Sequence, residues 1–169
     1  LISAHPALFG IAVRELAYPV SHLRMTKDRY ELEALAEACR ISTESLAIAV
    51  AAIHVGMTEV HFARMLESIM GDHGAHDRSF PTIVAAGENG SRPHHSPTDY
   101  QIAEGDLVMI DFGAAIDGYH ADCTRTVIVG ADPADWQVEI YETVRRASKA
   151  TRAAAGPAVP TTVVDAAAR

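Results

Sequence analysis

The chain has 169 residues, 49% of them apolar, and carries 22 acidic against 14 basic side chains for a formal charge of −8. That length suffices for one domain with a sizeable core, and the acidic balance argues against the basic footprint of a nucleic-acid-binding protein. The two cysteines, Cys39 and Cys123, fit neither a disulfide framework nor a zinc motif, which points to a reducing, cytoplasmic setting. The longest apolar run, residues 46–53, is too short to span a bilayer, so no membrane partner is expected.

In chain order, residues 1–23 show no clean period. Pro6 and Pro19 interrupt them, Ser21 and His22 read as loop, and residues 9–13 fit a short strand, so this stretch is expected to be a linker or the tail of a preceding domain. From Thr26 a helix begins, with Thr26 or Asp28 near its N-cap and Leu32, Leu35, Cys39, Leu46, Val50 and Ile53 on its apolar face, and Gly56 ends it. Thr58 and Glu59 open a second helix, whose Val60, Phe62, Met65, Leu66 and Ile69 turn inward before Gly71 and Gly74. His73 and His76 then fall between two glycines without cysteine or acidic companions, and a solvated loop is the simpler reading of that pair.

Residues 79–86 read as a strand and residues 87–97 as a loop dense in turn formers that contains His94 and His95. After a turn at 103–106, residues 107–129 form the most informative stretch: two runs rich in Val, Ile, Phe, Tyr and Thr joined by Asp117-Gly118, a strong two-residue hairpin signal. Strands of about 107–116 and 119–129 pair Ile116 with Tyr119, Asp111 with Thr124 and Asp122 with Gly113. Alternation then sets Asp111, Gly113, Asp122 and Thr124 on one face, with Val108, Ile110, Phe112, Val127 and Val129 on the packing face. The two carboxylates become diagonal neighbours with Cβ atoms roughly 7 Å apart, within reach of one metal ion or a metal pair. Two close like charges otherwise repel and favour protonation. The spacing alone leaves a second reading open, in which Asp111 caps a turn and Asp122 pairs with Arg125 at the surface. Beyond the hairpin, Asp132-Pro133 is expected to start a helix with a buried stripe of Trp136, Ile140, Val144 and Ala147, ending at Gly156-Pro157. A last helix starts near Pro160 with Val163, Val164 and Ala167 inward.

The ordered set of helix pair, SFPTIVAAGENGSRPHHSPTD and GDLVMIDFGAAIDGYHADCTRTVIVG resembles the first half of the pita-bread metallopeptidases, the family of methionine aminopeptidase, prolidase, Xaa-Pro aminopeptidase and creatinase. The resemblance covers residues 24–169 and implies an α+β fold, apparently incomplete, with an antiparallel sheet and helices on one face. It also implies roles. Asp111 would chelate one metal ion, Asp122 would bridge two, and His94, which follows Pro93, would lie beside the scissile peptide. Thr124, on the face of Asp122, would orient a carboxylate from behind. His95 falls where the family is variable and takes no implied role. The Asp122-Cys123-Thr124-Arg125-Thr126 run is most similar to the proline-specific branch.

The same resemblance implies hydrolysis of an N-terminal Xaa-Pro bond assisted by two divalent ions (Mn, Co or Zn), with a short peptide bearing proline second as substrate and a homodimer as the expected assembly. The family completes its metal site with a histidine and two glutamates from a second, pseudo-symmetric half. Nothing after Asp122 matches them, since Glu139 and Glu142 lie on the following helix and no histidine follows His120. The 169 residues are therefore expected to be part of a longer polypeptide and inactive alone, with aggregation or pairing of the isolated chain as the consequence of an uncovered sheet. The competing reading from another class is a catalytically inactive module that binds peptides or proteins, disfavoured because both aspartates are kept.

Overall fold

The computed structural model describes residues 18–169, so the short strand expected at 9–13 lies outside the described residues. The first described element is a helix, α1 (Pro19–Met25), where Ser21 and His22 suggested loop. Pro19 at the first helical position brings a φ already suited to a helix and no N–H to leave unpaired.

Helix α2 (Arg29–Ala52) is capped by Asp28, whose side chain accepts from Glu31 N while Glu31 reaches back to Asp28 N. Its buried face differs from the expected one. Ala38, Ile41, Ser42, Ser45 and Ala49 are buried, whereas Leu32 and Cys39 are exposed and Leu46 and Val50 only partly covered. The reason is close approach: small side chains let α2 lie directly against the hairpin, where Ser42 Oγ donates to Ala38 O at 2.8 Å and accepts from Ala114 N at 3.0 Å. Ser42→Ala would strand that buried amide, so a loss of about 1–3 kcal/mol in urea unfolding is expected.

Helix α3 (Glu59–Asp72) is capped by Thr58, whose side chain accepts from His61 N, and it buries Phe62, Ala63, Leu66 and Met70. It runs through Gly71 before ending, and its first residue, Glu59, is fully buried.

The strands are β1 (Asp77–Arg78), β2 (Ile83–Ala86), β3 (Leu107–Phe112), β4 (Ala114–Ile116), β5 (Tyr119–His120) and β6 (Cys123–Ile128). The strand expected over 79–86 is thus restricted to its second half. The hairpin turns at Asp117 and Gly118, both with positive φ (52° and 80°), as a two-residue turn of this kind requires. Ile116 pairs with Tyr119, Ala115 with His120, Asp111 with Thr124 and Phe112 with Cys123, so the register is kept along the whole hairpin without a bulge.

The hairpin is nevertheless not a single continuous ladder. Pairing lapses at Gly113 and Asp122, which splits the hairpin between two antiparallel sheets, β1-β4-β5 and β2-β3-β6. At the split the backbones nearly touch: a Cβ built on Gly113 would lie 1.9 Å from Ala121 O. Helix α2 lies on β4 and β5 and α3 on β2, and Val108, Ile110, Phe112 and Val129 enter the core they enclose.

The chain continues into α4 (Asp135–Ala154) and α5 (Thr161–Ala168). Helix α4 starts later than Asp132-Pro133 implied, because Gln137 supplies the local anchoring: its side chain accepts from Ala134 N and donates to Gly105 O. Of the stripe expected to be buried, only Ala147 is partly covered and the rest is exposed. Trp136 is 56% and Val144 62% accessible, and Gln137 is the one buried residue of α4. Leu107, Ile128, Val138, Ile140 and Val144 line an apolar groove of about 350 Å³ between β6 and α4. No helix among the described residues is long and apolar enough to cross a membrane.

Candidate active site

Asp111 sits on β3 between Ile110 and Phe112, both fully buried, so strand alternation turns its carboxylate to the opposite side. There Thr124, its partner on β6, donates through Oγ1 to Asp111 Oδ1 at 2.8 Å. Asp122 falls in the unpaired step between β5 and β6 and is exposed. Arg125 donates to Thr124 O at 2.7 Å, and no ion pair joins it to Asp122 among the described residues. The surface pair that offered an alternative explanation of Asp122 is therefore missing.

Both aspartates line one cleft of about 490 Å³, together with His94, His95, Thr82 and Phe80. The far wall is the turn-rich loop, which begins as a 3-10 turn (Gly87–Ser91) and passes through His94 in the left-handed region, at φ 57°. A histidine held there costs of order 1–3 kcal/mol, so its surroundings must impose that conformation. The Thr82 hydroxyl is buried at the cleft with no hydrogen-bond partner among the described residues. The structure thus brings His94, Asp111, Asp122 and Thr124 to one side of the molecule, with a direct contact between Thr124 and Asp111 only.

The residue that sequence reasoning passed over is Glu59. Its Oε1 accepts from Ala86 N at 2.8 Å and Asn89 Nδ2 at 3.0 Å, and its Oε2 from His95 Nε2 at 2.9 Å, Thr98 N at 2.9 Å and Thr98 Oγ1 at 2.8 Å. A glutamate in the first turn of a helix ordinarily reads as a surface charge favoured by the helix dipole. Its partners lie 27 to 39 residues away, so no local pattern announces them.

Burial pushes the Glu59 carboxyl up, but the donors on Ala86, His95, Asn89 and Thr98 outweigh it and hold the group below the ordinary value of 4.5. With the folded value below the unfolded one, the native state binds fewer protons in that interval. The stabilisation is complete above about pH 4.5 and is lost as the pH falls through the folded value. Urea unfolding between pH 5 and 3 is expected to show this extra acid sensitivity in the native chain, and Glu59→Gln to lack it.

Carboxylate oxygens suit divalent cations, and Thr124 leaves one oxygen of Asp111 uncommitted. The residues present fit part of a metal site. Among the described residues no group of three or more His, Cys, Asp or Glu is arranged to hold an ion. The His73 and His76 pair is engaged elsewhere: His73 Nδ1 lies 2.9 Å from Ile69 O, and His76 Nδ1 lies 3.4 Å from Asp117 Oδ1.

Comparison with known proteins gives the chain a family. The profile of metallopeptidase family M24 matches residues 33–169. The chain belongs to that family. Among M24 relatives, the Xaa-Pro dipeptidase of Pyrococcus furiosus is 37% identical over 150 residues, covering 89% of this chain and 43% of that protein. The X-Pro aminopeptidase of Thermotoga maritima superposes with a TM-score of 0.85 at 36% identity, covering 88% of this chain and 42% of that one. The prolidase of Pyrococcus furiosus gives a TM-score of 0.83 at 37% identity, with 88% and 44% covered. The architecture is accordingly α+β and matches part of the pita-bread fold of these M24 structures. The chain spans about two-fifths of the length of the relatives it matches.

Proposed function

We propose that the complete protein is a metal-dependent peptidase that hydrolyses the bond ahead of proline in Xaa-Pro dipeptides or at the N-terminus of Xaa-Pro peptides. The observation that carries this is the shared cleft of His94, Asp111 and Asp122 in a chain of family M24. The names of its relatives, Xaa-Pro dipeptidase and prolidase, support the choice of substrate.

In this reading Asp111 and Asp122 supply carboxylate oxygens to two divalent ions, of which manganese, cobalt and zinc are the candidates. Such ions, when bound, make hydroxide available near neutral pH and polarise a peptide carbonyl. Thr124 holds one oxygen of Asp111 and so fixes the direction of the other. His94, at the rim of the cleft, hydrogen-bonds the substrate as charge develops on the scissile carbonyl. The further ligands come from a segment outside these 169 residues, and the working enzyme is a cytoplasmic homodimer.

The test is proline release from a panel of Xaa-Pro dipeptides and Xaa-Pro-Yaa tripeptides by the full chain loaded with manganese, cobalt or zinc. Cleavage of at least one, abolished by a chelator, is expected; no cleavage of any would end the proposal. Thr124→Val keeps the side-chain shape and removes the donor, so activity or metal affinity is expected to fall roughly 10- to 100-fold, measured by the same assay and by calorimetry.

A further inference from the structure

The wall of the cleft that carries His94 is fastened to the core through one carboxylate. Glu59 is 0% exposed and His95 9%, and five hydrogen bonds converge on the two Glu59 oxygens. Their donors stand before the 3-10 turn (Ala86), within it (Asn89), next to His94 (His95) and beyond it (Thr98). Both ends of the loop are thus tied to the same group. The segment after it is pinned to the start of α3 as well: Val60 N donates to Thr98 O, and Glu59 N to Tyr100 O.

The anchoring has a direction. An ionised carboxylate only accepts, so His95 must present Nε2–H to it, which fixes the ring's protonation at that nitrogen. The ring of residue 95 is locked and the backbone at residue 98 is locked. Between Pro93 and the ring of His95 the chain passes through the left-handed turn at His94.

We propose that Glu59, acting through His95, is a positioning residue for His94: the buried pair imposes the left-handed backbone that presents His94 to the cleft beside Asp111 and Asp122. What His94 does there rests on the peptidase reading above; the clamp itself does not. Glutamine at position 59 is a near-isosteric probe, because whichever way its amide is turned, one oxygen position becomes an N–H facing donors.

The experiment compares the full-length native protein with Glu59→Gln, His95→Leu and the double variant, using Ser42→Ala as a control for lost stability outside the cleft. Two measurements are made on each: steady-state cleavage of an Xaa-Pro dipeptide with manganese, and hydrogen exchange of the amides at 92–98. Each single variant is expected to lower kcat at least tenfold with KM within threefold, and the double variant to lower it no further than the worse single one. Exchange at 92–98 should quicken in all three, while Ser42→Ala loses stability with kcat and loop exchange unchanged. Losses that multiply in the double variant would overturn the coupling of Glu59 to His95. A kcat within twofold of native in Glu59→Gln would overturn the positioning role. If the native protein cleaves no Xaa-Pro peptide, the peptidase reading fails, and loop exchange decides the clamp: unchanged protection in Glu59→Gln would overturn it too.

Discussion

Asp122→Ala is expected to abolish metal-dependent Xaa-Pro cleavage in the full chain while leaving the fold untouched. Asp122 is exposed, lies in the unpaired step between β5 and β6, and makes no hydrogen bond or ion pair among the described residues. Such surface side chains change stability by only about ±0.5 kcal/mol when replaced. A carboxylate lining the proposed active cleft with no structural partner is therefore best explained by what it does to a ligand. Groups that merely support a metal ligand cost roughly 10- to 100-fold when removed, so loss of the ligand itself should exceed that range. The check pairs a thermal melt with proline-release kinetics and manganese calorimetry. A variant that melts like the native protein and keeps more than a tenth of its activity would remove Asp122 from the site.

Gly113→Ala is expected to have the opposite profile, a severe loss of stability at a position with no chemistry of its own. The added methyl would fall 1.9 Å from Ala121 O and 2.6 Å from Ala121 C, both backbone atoms with no rotamer to change. Neither strand can yield easily. Ala121 N donates to Ala114 O at 2.9 Å on one side, Ser79 N donates to Gly113 O at 2.8 Å on the other, and both sheets hold their register to the next residue. Overpacking of this kind costs about 3 kcal/mol or more, which lowers Tm by roughly 6–12 °C in a chain of this size. Gly118→Ala meets open space and is strained only by its φ of 80°, so a smaller loss, about 1 kcal/mol, is expected there. Differential scanning calorimetry of the two variants tests the contrast; a Gly113→Ala midpoint within 2 °C of native would refute it.

How much could be read from the residues alone depends on how local each signal is. The hairpin register was legible because Asp117-Gly118 needs two positive φ angles and the flanking strands alternate; the pairing of Asp111 with Thr124 comes from counting outward from that turn. The division at Gly113 is less legible, since an isolated glycine inside a strand pattern signals close backbone approach but not where the pairing lapses. For α2 hydrophobicity misled, since Leu32 and Cys39 outweigh Ala38, Ser42 and Ala49 on any apolar scale, yet the helix buries its small residues to reach the hairpin backbone. The α4 stripe was correctly periodic but not covered, because periodicity states which side of a helix seeks burial and not what covers it. Glu59 carries no local signal because its five hydrogen bonds come from four residues assembled only by the tertiary fold.

The exposed flank of α4 also makes this molecule its own optical reporter. Trp136 is the sole tryptophan in the sequence and stands in solvent, lining with Tyr100 and Met109 a second hollow that adjoins the groove at Ile140. Its emission should be red-shifted and readily quenched by iodide for as long as that flank is bare. Any polypeptide that came to lie over that hollow would shift the band to shorter wavelength and shield the indole, with no label attached.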